Sequence, residues 1–137
     1  MAASAGYSGT PLAQKLGIRA GDRVALIDEP DGFRALLQPL PDAVDFRTTV
    51  RGRCDGVVAF FARRAPFARR LDALGRAVFP DGGVWIAWPK RAARVATDMT
   101  EDVVREVALP RGLVDVKVCA IDATWSGLRL VWRKERR

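Results

Sequence analysis

Gly56-Val57-Val58-Ala59-Phe60-Phe61-Ala62 is the stretch that decides the fold. An apolar run this short, bounded by Cys54-Asp55 and Arg63-Arg64, reads as a strand covered on both faces, which is the habit of a parallel sheet. Its sequel agrees. From Pro66 onward Phe67, Leu71, Leu74 and Val78 recur at helical spacing while Arg69, Arg70, Asp72 and Arg76 face away, so a helix lays one stripe on the sheet. Asp81-Gly82-Gly83 then turns the chain into Val84-Trp85-Ile86-Ala87-Trp88, and Pro89 stops that strand because proline donates nothing to a ladder.

Working outward, Ser8-Gly9-Thr10-Pro11 is a helix-start signal and Gly17 a stop, which predicts a short helix over 10–16. Gly21-Asp22 leads into Arg23-Val24-Ala25-Leu26-Ile27-Asp28, a second strand of the buried kind. Asp31-Gly32-Phe33 opens a short helix that Pro39 and Pro41 end, and residues 43–50 are weakly strand-like. Downstream, a loop of roughly ten residues runs to Asp98-Met99-Thr100-Glu101, where Asp98 is expected to cap a helix with Glu101 reaching back. That helix ends at Pro110-Arg111-Gly112. Residues 114–121 and 128–132 are two strands joined by Asp122-Ala123-Thr124-Trp125-Ser126-Gly127, a link short enough to make them antiparallel neighbours.

The fold class expected is therefore α/β, a three-layer sandwich with a mostly parallel sheet of five to six strands, helices on both faces and a C-terminal antiparallel hairpin. The order expected for the parallel core is second, first, third, fourth, fifth, with the last strand at or near the far edge. Residues 1–137 are read as a single domain, with 1–20 an N-terminal arm and short helix and 133–137 a mobile basic tail.

Composition narrows the function. The chain has 137 residues, no histidine, two cysteines and a formal charge of +7. Without histidine there is no Ser-His-Asp or Cys-His nucleophile, no histidine-ligated zinc and no histidine base. Cys54 and Cys119 cannot form a four-thiolate metal site and are expected to act as small core hydrophobes. No apolar run approaches the 18 or so residues that span a bilayer, and the start of the chain lacks the pattern of a secretory signal, so a cytoplasmic location is expected. The positive charge invites a nucleic-acid partner, but it is dispersed: residues 1–68 carry 9 basic and 7 acidic side chains, and 69–137 carry 14 and 9. A nucleic-acid partner is therefore kept only as an alternative, and no membrane partner is expected.

In a sheet of this kind ligands bind beyond the carboxyl ends of the strands, near the point where strand order reverses. The residues expected there are Glu29, Trp88, Lys90, Asp98, Asp122 and Trp125. Each has a plainer reading. Asp28-Glu29-Pro30-Asp31-Gly32 sets three carboxylates around one glycine, so it is a poor phosphate turn and suits an acidic turn capping the next helix through Asp31. Lys90, with Arg91 and Arg94, either clamps an anion or pairs with Asp98, Glu101 and Asp102; a base or Schiff-base lysine is a third possibility. Trp88 and Trp125 either stack on a planar ligand or fill the sheet's end. Ser126 has no activating base and reads as a turn residue. No catalytic residue, metal ligand or cofactor is assigned.

Several segments resemble a known family. Gly6-Tyr7-Ser8-Gly9-Thr10-Pro11-Leu12, Trp88-Pro89-Lys90, Thr97 to Arg105, and Gly112 to Ala120 with Asp122 and Thr124-Trp125-Ser126-Gly127-Leu128 are similar to the small bacterial family catalogued as domain of unknown function 3052. That family implies no activity and no site residues. The run from Cys54 to Val131 also resembles the later half of a class I methyltransferase. The departures lie earlier: Asp28 to Gly32 replaces the glycine-rich turn, no acidic residue ends the second strand, and one strand-helix unit is missing. The leading expectation is a non-catalytic α/β domain that binds a small molecule or protein partner at the carboxyl edge, with a degenerate methyltransferase-like fold. The alternatives are a reduced S-adenosylmethionine-dependent methyltransferase and a nucleic-acid-associated basic protein.

Overall fold

A computed structural model describes residues 9–137, so Ser8 of the expected helix start lies outside the described residues. The elements in chain order are α1 (Leu12–Lys15), β1 (Arg23–Ile27), α2 (Phe33–Leu36), β2 (Asp45–Arg47), β3 (Gly56–Phe60), α3 (Arg64–Val78), β4 (Gly83–Pro89), α4 (Glu101–Ala108), β5 (Leu113–Ala120) and β6 (Trp125–Trp132). They build one six-stranded sheet in the order β2-β1-β3-β4-β6-β5. Strands β1 to β4 are mutually parallel, whereas β6 runs antiparallel to both β4 and β5. The molecule is thus an α/β protein with a mostly parallel sheet and a C-terminal hairpin.

Alternating residues of the buried strands feed two cores. Ala25, Ile27, Val57, Ala59, Val84, Ile86 and Trp88 meet α3 and α4 on one face, through Phe67, Leu71, Leu74, Val78, Val104 and Val107. Val24, Leu26, Val58, Phe60, Trp85 and Ala87 meet α1 and α2 on the other, through Ala13, Leu16, Phe33 and Leu37. The α3 stripe is fully buried, each large side chain contributing about 2 kcal/mol of apolar burial. Among the described residues no helix is long and apolar enough to cross a membrane.

The expected order needs one correction. The fourth and fifth strands are not neighbours: the last strand, near the far edge as expected, lies between β4 and β5. Burial accounts for the exchange: Gly127, Leu128 and Leu130 of β6 are buried, whereas Val116 and Val118 of β5 are 53% and 50% exposed. The strand with more apolar surface to hide takes the inner place. The residues 133–137 expected as a loose tail include a 3-10 turn at Lys134–Arg136, held by Arg133 N–H on the Gly112 carbonyl at 3.0 Å.

Candidate functional site at the carboxyl edge

Strand β1 leads out to β2 on one side while β3 leads to β4 on the other, so the order reverses between β1 and β3. The register fixes what shares this rim: Pro89 lies opposite Trp125, Trp88 opposite Ser126, and Ala120 opposite Ser126. The loops after β1, β3, β4 and β5 therefore gather at one end.

At the end of β1, Asp28 adopts φ 55°, a left-handed conformation that aspartate tolerates better than most residues. Its carboxylate is 69% exposed and faces Arg70 at 3.5 Å. Glu29 is held by Arg34, whose Nε and Nη2 donate to it at 3.1 and 3.0 Å. This hydrogen bond is the main reason that the Arg34 pKa is raised. Asp31 does not cap α2, because Gly32 occupies the cap position with φ 83° and no side-chain hydrogen bond is made there.

The end of β3 is knitted to the long loop. Asp98 is expected to cap α4, but its Oδ1 accepts from the backbone N–H of Arg64 at 2.7 Å, so it caps α3 instead. Thr100 caps α4 by accepting from Val103 N–H at 3.1 Å, and Glu101 reaches forward to Arg105 instead of back to the cap. Thr97 donates its hydroxyl to the Ala62 carbonyl at 2.6 Å and accepts from Met99 N–H at 3.0 Å. The alternation of acid and hydroxyl in Asp98-Met99-Thr100-Glu101 leaves the choice of cap open; the tertiary contact with Arg64 decides it.

Beside the end of β4 lies a cavity of about 500 Å³, lined by Trp88, Lys90, Val95, Thr97, Met99 and Glu101, with Ser126 also on its wall. Lys90 is fixed through its backbone, whose N–H donates to the Thr124 carbonyl at 2.8 Å. The expected pairing of Lys90, Arg91 and Arg94 with Asp98, Glu101 and Asp102 does not occur. Glu101 and Asp102 are engaged by Arg105, and among the described residues Lys90, Arg91 and Arg94 make no ion pair. Arg105 is held at the same time by Asp115, which with Glu101 raises its pKa.

Of the six expected site residues, then, Trp88 and Lys90 share this cavity and Asp98 stands next to it on the loop. The other three lie elsewhere on the rim. Asp122 folds its own turn, its Oδ1 accepting from Thr124 and Trp125 N–H at 2.8 and 2.7 Å. Trp125 belongs to the opposite core, edge-on to Phe60 at 5.1 Å, with Phe60 in turn edge-on to Phe33 at 4.9 Å. The two indoles thus sit on opposite faces of the sheet. Ser126, read as a turn residue, is inside β6, which starts three residues before the expected Leu128. Thr97, Met99 and Thr100 were not among the expected site residues; their local pattern marks a helix start and not a cavity wall, and the loop's tertiary path brings them to Trp88. Among the described residues no cluster of histidine, cysteine, aspartate or glutamate is placed to hold a metal ion.

No family model matches the chain, so the resemblance to domain of unknown function 3052 stands on the quoted residues alone. No curated protein matches either. Solved structures do. The chain is similar to magnesium protoporphyrin IX methyltransferase from Synechocystis PCC 6803 with bound SAH, at TM-score 0.60 and 8% identity over 89% of this chain and 80% of that one. It is similar to the putative methyltransferase of Haloferax volcanii in complex with the Trm112 methyltransferase activator, at TM-score 0.61 and 15% identity over 88% and 87%. A putative type 11 methyltransferase from Sulfolobus solfataricus gives TM-score 0.59 and 13% identity over 90% of each chain. The fold is that of the class I methyltransferases.

Proposed function

We propose that this chain is a reduced S-adenosylmethionine-dependent methyltransferase, taking the adenosyl ligand at the crevice between the carboxyl ends of β1 and β3 and its acceptor in the cavity beside β4. The observation that carries this reading is the acidic turn after β1 in a sheet of methyltransferase order. Carboxylates at that turn repel a pyrophosphate, but S-adenosylmethionine has none and carries a cationic sulfonium and amino group. Opposite charge at the rim suits it. Asp31 is exposed and unpaired among the described residues, and Asp28 is only loosely matched by Arg70. The donor set fits a cationic ligand and not a phosphate.

When bound, that ligand supplies an electrophilic methyl group. The chain's own part is to place and shield: Trp88 and Met99 give the cavity an apolar wall, and the unpaired Lys90 orients an anionic or electron-rich acceptor.

A second reading, a non-catalytic binding domain using the rim from Glu29 to Trp125, draws on the absence of a ready base. The chain has no histidine, and Glu29 and Glu101 are each engaged by an arginine. Thermal melts with S-adenosylhomocysteine, followed by methyl-transfer assays, separate the two. A rise in Tm at millimolar ligand with turnover supports the enzyme; a rise without turnover supports the binder. No rise removes the adenosyl ligand, because anything that prefers the native state must stabilise it. Asp28→Asn with Asp31→Asn weakens the response, and Lys90→Ala lowers turnover without changing it.

A further inference from the structure

The opposite, amino-terminal end of the sheet carries a second pocket. It has a volume of about 190 Å³ and is lined by Arg19, Arg53, Arg129, Asp22, Asp55 and Asp81, with glycines at 17 and 82. The carboxylates here are already engaged. Asp55 accepts from Arg23 N–H at 2.8 Å and from Arg53 at 3.2 Å, Asp81 accepts from Arg53 at 2.6 Å, and Asp22 accepts from Arg19 N–H at 2.9 Å. Arg53 is therefore spoken for. Arg19 and Arg129 are not: among the described residues neither guanidinium makes a hydrogen bond or an ion pair.

Arg129 is the more telling of the two. It projects from the middle of β6, is half-buried, and lies flat along β4 over Gly83. A Cβ at Gly83 would meet its Nε at 2.6 Å and its Cζ and Nη2 at 2.7 Å, so the seat exists only because position 83 has no side chain. Burial, and then the like charge of Arg19, lower the Arg129 pKa from its ordinary value. An arginine nevertheless stays charged at neutral pH. Among the described residues this half-buried cation with five forked donors stands beside a second cation and outside hydrogen-bond reach of the pocket's carboxylates, so its fork is open to an anion.

We propose that this pocket binds a small oxyanion, a phosphate or carboxylate group, held in the fork of Arg129 with Arg19 closing over it. The flanking Asp22, Asp55 and Asp81 limit the charge it tolerates, so the ligand is a single anionic group and not a polyanion. The site lies at the far end of the sheet from the proposed methyl-transfer crevice and acts independently of it.

The test titrates the full chain with inorganic phosphate and, separately, with acetate, at ionic strength held constant with chloride. The readouts are calorimetry and the Nε–H resonance of Arg129. Saturable binding that moves this resonance, and that weakens at least about tenfold in Arg129→Gln, is the expected result. Saturation by phosphate alone assigns a phosphate group; saturation by acetate as well assigns any forked oxyanion. Arg19→Gln, at an exposed position, gives a smaller loss and serves where Arg129→Gln does not fold. A linear, unsaturable response, or equal affinity in the variants, overturns the site. The S-adenosylhomocysteine response is the same in Arg129→Gln, so failure here is distinguishable from failure of the methyltransferase reading.

Discussion

Trp85 Nε1 donates to the Leu16 carbonyl at 2.9 Å, joining the middle of the sheet to the end of α1 across 69 residues of sequence. The indole is 2% exposed and Leu16 is 4% exposed. A helix of four residues has little stability of its own, so this bond and the packing of Ala13 and Leu16 hold it. Trp85→Phe keeps most of the packing and leaves a buried carbonyl unmatched, at a cost of about 2 kcal/mol. Urea denaturation measures the loss, and an unchanged midpoint refutes the role.

Gly82 is closed in by backbone. An added Cβ would meet the Asp55 carbonyl at 2.5 Å, Val78 Cβ at 2.9 Å and the Val78 carbonyl at 3.0 Å. None of these can swing aside as a side-chain tip would. Gly82→Ala is expected to lower stability by about 3 kcal/mol, whereas an alanine at solvent-facing Arg69, as control, moves it by less than about 0.5 kcal/mol.

Asp98 satisfies the first N–H of α3 from a distant loop. Asp98→Ala removes that cap and costs about 1 kcal/mol. It also frees the loop that carries Thr97 and Met99, so hydrogen exchange across residues 95–100 rises in the variant. Protection that stays at the wild-type level would show that Thr97 alone pins the loop.

Both thiols are protonated more firmly in the fold than outside it. Burial pushes Cys54 and Cys119 above the ordinary 9.0, opposed in part at Cys54 by Arg23 and Arg47 and at Cys119 by Lys15 and Lys117. A raised thiol pKa stabilises fully below the unfolded value near 9.0 and is lost as pH climbs from there through the folded value. The wild type therefore loses stability above about pH 9 more steeply than Cys54→Ala/Cys119→Ala. Parallel stability-pH curves for the two proteins contradict this.

Strand identity was legible where residues are buried on both faces: the runs at 24–27, 56–60 and 84–88 each announce themselves by an apolar stretch and a turn. The amphipathic stripe of α3 was equally plain. Strand order at the hairpin was not, because the contrast between Leu128-Arg129-Leu130 and Val116-Lys117-Val118 says which strand is drier only once the sheet to be covered is known. At the rim, Trp88 and Lys90 were singled out from their position at and just past the end of a strand, and they line one cavity. Asp98 was placed there for the wrong helix, since capping a partner 34 residues away leaves no local trace. Arg129 and Gly83 were passed over because their relation is across strands and not along one.

A register shift between Asp115 and Lys117 interrupts the ladder of β5, the outer strand beyond β6. A flat outer strand bearing Val116 and Val118 would offer its free amides as a template on which further copies of the chain could stack. The irregular register spoils that template. A change that makes the register regular is expected to let copies of the chain join edge to edge through this strand.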